Sequence, residues 1–294
     1  MSALPERRPN ALSDADHAFL RHLLHLRTGI VLDPSREHFA EMRLGALATE
    51  FGFESLPDVL EAVRTEEHWG VLHRLVVEAL AISETSWFRD AHVWVELRQV
   101  IVPELLERRR ESRSLDVWSA ACASGQEPYS FAMLLNEMSH ARGDALSGWR
   151  MRLLATDFSQ GILKRARTGC YSQIEMNRGL PAAQLVRHFR KNPDGWDLRP
   201  EVRARVEFRE LNLVQPWPEL PPMDIVLMRN VLLYFEPEVR RRVLRQLARL
   251  LKPDGVLVLG AGETPLTLDD SFEAFPLERT VFYRRRELDV RRPR

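Results

Sequence analysis

The chain has 294 residues, 45% of them hydrophobic, which is enough for one large domain with an appendage or two modest ones. Lysine plus arginine and aspartate plus glutamate balance at 42 each, so no global charge draws the protein to nucleic acid. Two cysteines without a C-x-x-C pair, and no 18-residue apolar run, exclude a disulfide framework, a zinc site and a membrane span, and lead us to expect a cytoplasmic protein.

Residues 12 to about 82 read as helices only. Ser13 and Asp16 mark the opening of a helix with Phe19, Leu20, Leu23, Leu24 and Leu26 on one stripe. "SREHFAEMRLGALATEFGF" follows, with Phe39, Met42, Leu44 and Leu47 expected inward and a stop at Gly52. "SLPDVLEAVR", with a proline near its start, and "WGVLHRLVVEALAI" complete a small bundle. His17, His22 and His25 on the first helix have no metal-ligand partners by spacing and read as surface or core fillers.

After "SETSWFRD" the pattern changes. A helix, "VWVELRQVIVPELLERR", leads into strands expected at 115–119, 152–156, 206–211, 224–228 and 256–260. Helices fit 128–140, 159–167 and 237–251, the last closed by "KPDG", and "FEAFPLERTVFYRRR" reads as a final hairpin. This alternation predicts an α/β fold with a doubly wound, mostly parallel sheet, ligands being held beyond the carboxyl ends of the strands. We expect a helical domain over 1–82, a connecting segment over 83–114 and the α/β domain over 115–294. About 38 residues before the third core strand exceed a bare connection and are expected to form a helix and a small β-subdomain over about 171–206, with Asn192-Pro193-Asp194-Gly195 as a turn.

The loop "AACASGQEP" follows the first strand. Its small residues let the backbone approach a ligand, but it carries one glycine and an acid, Glu127, at the helix opening. A carboxylate there repels phosphate and suits hydroxyls, amines or positive charge, although Glu127 at this position also serves as a plain helix cap. Asp157 ends the second strand, where an acid accepts hydrogen bonds from ribose hydroxyls, or else caps the next helix. The pair points away from NAD and toward S-adenosylmethionine, which has a ribose, an ammonium and a sulfonium but no phosphate.

Together "ETSWFRD", "VWSAACASGQEPYS", "LATDFS", "LNL" and "MDIVLMRNVLLYF" resemble the chemotaxis receptor glutamate methyltransferases, the CheR family, over roughly residues 12 to 284. The resemblance implies the S-adenosylmethionine-dependent methyltransferase fold and transfer of methyl groups to glutamate carboxylates of a chemoreceptor or similar protein, with S-adenosylhomocysteine as product. By position it implies cofactor contacts from Ser83, Thr85, Arg89, Glu127, Asp157, Asn212, Leu213, Arg229 and Asn230, with Arg89 and Tyr234 nearest the reacting methyl; Tyr234 read by itself is also a packing aromatic. It further implies that the front helices supply a receptor-facing groove.

The chain departs from the family pattern in places. Ser83 stands where Asn is usual, and Gln126-Glu127 replaces a Glu-Glu pair. Arg43 matches the basic second helix of receptor-gripping members, whereas Ala46 and Thr49 do not, and the excursion is shorter than in members that bind a receptor tail. These departures motivate an alternative, a non-catalytic cofactor-binding or receptor-docking module. Retention of Arg89, Glu127, Asp157, Asn230 and Tyr234 argues for the enzyme. Glutamate, with a pKa of about 4.3, is already an anion near neutral pH, so the reaction needs alignment rather than a general base. Methylases of nucleobase amines carry an Asn/Asp-Pro-Pro-aromatic turn after the fourth strand, and this chain has Arg229-Asn230-Val231-Leu232-Leu233-Tyr234 instead.

Overall fold

The computed structural model describes residues 12–33, 35, 37–66, 69–81, 83–141 and 146–286. The last eight residues of the arginine-rich tail lie outside the described residues. The chain forms two compact units: residues up to Ile82 together with Tyr234–Glu236, and the remainder from Ser83.

In the first unit, helix α1 (Asp14–Thr28) opens on a capping box, the Asp16 amide donating to Ser13 Oγ and the Ser13 amide to Asp16 Oδ2 (3.0 Å). It ends where Gly29 turns left-handed (φ 69°). Leu20, Leu23 and Leu24 are buried as the spacing predicts, but Leu26 is 61% exposed. Helix α2 (Glu37–Phe51) buries Ala40, Leu44, Leu47 and Ala48, while Met42 is 57% exposed and Phe39 half-buried. The inward stripe of α2 thus runs through Ala40, Leu44, Leu47 and Ala48. At 3.6 residues per turn, Met42 stands 200° from Leu44 and cannot share its face. Helices α3 (Leu56–Thr65), capped by Ser55, and α4 (Val71–Leu80) bury Val59, Leu60 and Val63 and Val76, Val77 and Leu80. Residues Tyr234–Glu236 join this unit through an Ile30–Phe235 bridge and the Val31 amide, which donates to the Tyr234 carbonyl (2.9 Å).

The second unit starts with α5 (Ala91–Glu96) and α6 (Val102–Arg108), joined by a π-turn over Leu97–Ile101. Pro103 has no amide to continue an α-helical ladder, and the wider turn lies immediately before it. The chain then runs β1 (Ser114–Ala120), α7 (Gln126–Ala141), β2 (Arg150–Asp157) and α8 (Gln160–Thr168). Next come β3 (Cys170–Tyr171), α9 (Gln173–Met176), α10 (Ala182–His188), β4 (Phe189–Asn192), β5 (Gly195–Leu198) and α11 (Pro200–Arg203). It closes with β6 (Val206–Glu210), β7 (Met223–Met228), α12 (Pro237–Leu250), β8 (Leu251–Leu259), β9 (Phe272–Pro276) and β10 (Val281–Arg285).

Seven strands form one sheet in the order β6-β2-β1-β7-β8-β10-β9. All pairings are parallel except those of β10, which runs antiparallel to β8 and β9. The predicted doubly wound sheet and terminal hairpin are present. The hairpin folds back so that its second strand, not its first, joins β8. "KPDG" is not a helix stop, because β8 begins at Leu251 and runs through it. Every residue of β7 and six of seven in β1 are buried, as a central strand covered on both faces requires. β3, β5 and β4 make a separate three-stranded sheet, with the Asp194 amide donating to Asn192 Oδ1 (2.9 Å) in its turn. Trp87 packs edge-on against Tyr171 (4.8 Å) and Phe189 (5.3 Å) and so ties the segment ahead of α5 to that sheet.

An ion-pair cluster closes the amino end of the central strands. Asp224, fully buried, accepts from Arg109 Nε (2.8 Å), Lys252 Nζ (2.7 Å) and the Asp116 amide (2.8 Å). Arg109 also grips Asp254 through Nη1 (2.9 Å) and Nη2 (2.5 Å). The hydrogen bond from Arg109 holds the Asp254 carboxyl below its ordinary range against the cost of burial.

Candidate active site

Winding from β1 outward to β2 and β6, then back to β7 and β8, puts the switch point of the sheet between β1 and β7. The carboxyl ends of those strands, Ala120 and Met228, therefore open on a crevice formed by diverging connections. The loop after β1 is tightly wound, with Ala121 (φ 53°), Ala123 (φ 48°) and Gly125 (φ 91°) all left-handed. For the two alanines that backbone costs about 1–2 kcal/mol each, the kind of strain found where loops are shaped for ligands. At Gly125 a Cβ would lie 3.2 Å from both Ala166 and Tyr129 and 3.3 Å from Phe208, so a side chain there is strained by its backbone and must push its neighbours back by a few tenths of an ångström.

Glu127 and Pro128 lie in the first turn of α7, which begins at Gln126. The Glu127 side chain points to other side chains: Oε1 accepts from Ser119 Oγ (2.8 Å) and Oε2 from Arg229 Nη1 (3.3 Å). Burial pushes its carboxyl above the ordinary value of 4.5, opposed by the Arg229 and Arg89 charges and the Ser119 bond. Arg229, buried at the end of β7, also donates through Nη2 to Asp90 Oδ2 (2.5 Å) and the Arg89 carbonyl (2.8 Å). The structure thus joins Glu127, Arg229 and the backbone of Arg89 in one cluster, with Asp90 as an added member that sequence reasoning missed. The Arg89 side chain is exposed, and its charge acts on Glu127.

Asp157, 6% exposed, ends β2. It does not cap α8, because Ser159 does so by accepting the Ile162 amide (3.1 Å). Asp157 Oδ2 instead accepts the Ala123 amide (3.0 Å) and Oδ1 the Ser159 amide (3.1 Å), which fixes the carboxylate beneath the strained loop. Asn212 and buried Leu213 follow β6, the Asn212 side chain accepting the Val214 amide (3.1 Å). Ser83 and Thr85 are half-buried in the segment ahead of α5. Tyr234 groups with the helical unit.

Asn230 is left-handed (φ 59°). Its amide and those of Val231, Leu233 and Gly260 all donate to one buried carboxylate, Glu263, at 2.7–3.2 Å. Nothing in the pattern "GAGETP" announces this, since the contacts are to backbone. Cys122, in the loop after β1, is buried, and burial, then Asp157 and Glu127, push its thiol well above its ordinary value. Cys170, on the three-stranded sheet, is half-buried.

Two buried polar atoms at the end of β7, Arg229 Nε and Asn230 Oδ1, have no partner in the protein. Unmet polar capacity, a tightly wound loop, an acid in the first turn of α7 and another at the end of β2 fit a phosphate-free, positively charged nucleoside such as S-adenosylmethionine. Among the described residues no cluster of His, Cys, Asp and Glu is built to hold a metal, and no helix is long and apolar enough to cross a membrane.

Residues 83–281 match the family model described as CheR methyltransferase, SAM binding domain. The chain is 38% identical over 274 residues to "Chemotaxis protein methyltransferase 1" of Pseudomonas aeruginosa, covering 92% of this chain and 98% of that one. It is 35% identical over 274 residues to the protein of the same description from Vibrio cholerae (93% and 98% covered). It is 32% identical over 267 residues to "Chemotaxis protein methyltransferase" of Escherichia coli (89% and 88% covered).

Proposed function

The chain belongs to the CheR methyltransferase family, an S-adenosylmethionine-dependent methyltransferase by that membership, and from this we propose that it esterifies glutamate side chains of a chemoreceptor. The observation that carries the reading is the pair of fixed carboxylates, Glu127 in the first turn of α7 and Asp157 at the end of β2, together with the unpartnered Arg229 Nε and Asn230 Oδ1.

S-adenosylmethionine supplies an electrophilic methyl on a sulfonium, and its reaction leaves S-adenosylhomocysteine. The protein holds and orients. Asp157 receives the ribose hydroxyls; Glu127 faces the ammonium end. Asn212 and Leu213 flank the base, and Arg229 and Asn230 line the floor at the end of β7. Ser83 and Thr85 add contacts from the segment ahead of α5. The exposed Arg89 guanidinium orients a carboxylate, either that of the methionine moiety or that of the acceptor. For Tyr234, which directly follows the turn after β7, a role beside the methyl rests on the family resemblance; Tyr234→Phe tests it. The acceptor carboxylate is already ionised, so alignment and partial drying supply the rate, worth up to about 7–11 kcal/mol for well-oriented reactants.

Receptor engagement is assigned to the exposed face of α2, where Met42, Arg43, Ala46 and Thr49 stand in solvent. That face is less basic than the resemblance leads one to expect, which suits a receptor with fewer acidic groups at the contact.

Incubation with a radiolabelled methyl donor and a chemoreceptor cytoplasmic fragment tests the function. Label that leaves in mild base is the expected carboxyl ester. Base-stable label, or none on any chemoreceptor of the source organism, overturns it.

A further inference from the structure

Glu263 is a buried carboxylate that gathers backbone amides. Oε2 accepts from Asn230 (2.7 Å) and Gly260 (2.7 Å), and Oε1 from Val231 (2.9 Å) and Leu233 (3.2 Å). Three of these belong to the turn after β7, and the fourth is the residue just past β8. One side chain therefore stitches the turn after β7, which carries Arg229 and Asn230, to the end of β8. The strain in that turn is local and specific. Asn230 is left-handed (φ 59°), a conformation that asparagine tolerates better than most residues and that the bonds to Glu263 fix here. Gly260 completes the arrangement, because a Cβ there would lie 2.6 Å from Asn230 Nδ2 and 2.8 Å from Glu263 Oε2. The carboxylate is itself held in place: the Glu263 amide donates to the Gly260 carbonyl (2.9 Å), and Tyr283 Oη donates to the Glu263 carbonyl (3.4 Å).

We propose that Glu263 is a positioning residue for the methyl-transfer reaction: by accepting the amides of Asn230, Val231, Leu233 and Gly260 it holds the turn after β7 in its left-handed form, so that Asn230 Oδ1 and Arg229 Nε present themselves to the cofactor. The proposal rests on the cofactor reading above. Glu263 acts through the backbone it fixes and touches no reacting atom. A carboxylate suits this task better than an amide or hydroxyl, because both oxygens accept and each has two lone pairs.

The test uses the full chain in two forms of experiment. In hydrogen exchange on the wild-type protein without cofactor, the amides of residues 230, 231, 233 and 260 are expected to exchange at least about tenfold more slowly than exposed loop amides. Exchange at loop rates overturns the proposal without any variant. In Glu263→Gln the side-chain nitrogen cannot accept, so one pair of amides loses its acceptor. The folded variant is expected to exchange faster at residues 230–233 and to bind S-adenosylhomocysteine at least about tenfold more weakly by calorimetry. A merely structural residue lowers the melting temperature and leaves the affinity of the folded protein unchanged, so affinity within about twofold of wild type overturns the proposal. Where Glu263→Gln does not fold, Gly260→Ala keeps the carboxylate but forces its Cβ against Asn230, and the same two readouts decide. Wild-type protein that fails to take up S-adenosylhomocysteine refutes the cofactor reading, while the exchange measurement still judges the role of Glu263 in the turn.

Discussion

The two ends of the central strands carry similar charges arranged in opposite ways. At the amino end, Arg109 and Lys252 meet Asp224, Asp254 and Asp116, and the bonds of Asp224 run to both cations and a backbone amide. At the carboxyl end, Arg229 meets Glu127 and Asp90, yet its Nε and the neighbouring Asn230 Oδ1 are buried without partners. Left-handed backbone is concentrated at the carboxyl end, where Ala121, Ala123, Gly125 and Asn230 follow β1 and β7, although Arg113 (φ 45°), just ahead of β1, is left-handed at the amino end. Among the described residues, Asp116 Oδ1 is the one unpartnered buried acid oxygen of the amino-end cluster. A buried arginine between carboxylates is thus no sign of function by itself; the carboxyl end is set apart by the unpartnered atoms of Arg229 and Asn230 beside a loop with several left-handed residues.

The comparison breaks most visibly at Asp224. Asp224→Asn leaves Arg109 and Lys252 short of a buried partner and is expected to cost about 3–5 kcal/mol of stability. At about 2–4 °C per kcal/mol this is read as a melting temperature lowered by roughly 10 °C. Affinity of the folded protein for S-adenosylhomocysteine should stay unchanged; a large loss would mean that the two ends are not separable.

Glu127→Gln is the converse. The substituted amide keeps an acceptor oxygen for Ser119, and Arg229 keeps Asp90, so melting should shift by a few degrees at most, while calorimetric affinity falls about 100-fold, some 2.7 kcal/mol. Retained affinity would make Glu127 a scaffold acid like Asp224. Arg89→Ala removes an exposed side chain and is expected to lower turnover at least about tenfold, or 1.4 kcal/mol, with no change in melting. The cofactor affinity of this variant tells which carboxylate Arg89 orients, since affinity falls with turnover only if the methionine carboxylate is the one held.

Acid separates the ends more finely. The Glu127 carboxyl is raised above 4.5 by burial, so its anion is disfavoured by folding, and its contribution to stability becomes less favourable as pH rises from the unfolded value through the folded one. The ligand's ammonium group pairs with that anion, so affinity for S-adenosylhomocysteine should weaken severalfold as pH is lowered from neutrality toward the raised value, and Glu127→Gln should flatten this dependence. The Asp254 carboxyl is lowered, so its stabilisation is present above the unfolded value of 3.8 and is lost as pH falls through the folded one. Stability conferred by the amino-end cluster should therefore persist through the range in which affinity changes.

Much of the fold and part of the site was legible in the residues. Apolar runs such as "DIVLM" and "LLATD" predict buried parallel strands because both faces of a central strand are covered. Ser13 and Asp16 predict the opening of α1 through a local hydrogen-bonding pattern that needs no tertiary context. What lay hidden depends on long-range placement. The insertion of β10 between β8 and β9 leaves no local signature, and neither does the choice of Ala40 and Ala48 over Met42 for the core face of α2. Glu127 and Asp157 were ambiguous between capping and ligand contact because spacing fixes a position but not a side-chain direction; the bonds to Ser119, Arg229 and Ala123 show where they point. Asp90 and Glu263 escaped for a related reason, as their partners are an arginine 139 positions away and a set of backbone amides.

The two thiols sit in unlike places, and this offers a handle for spectroscopy. Cys122, sealed under the loop after β1 with its proton firmly held, gives an alkylating reagent no thiolate to attack in the native protein. Cys170, on the three-stranded sheet, is only half-buried. A maleimide dye should therefore mark that small sheet alone, with no engineered cysteine, and report directly on whether a partner settles there.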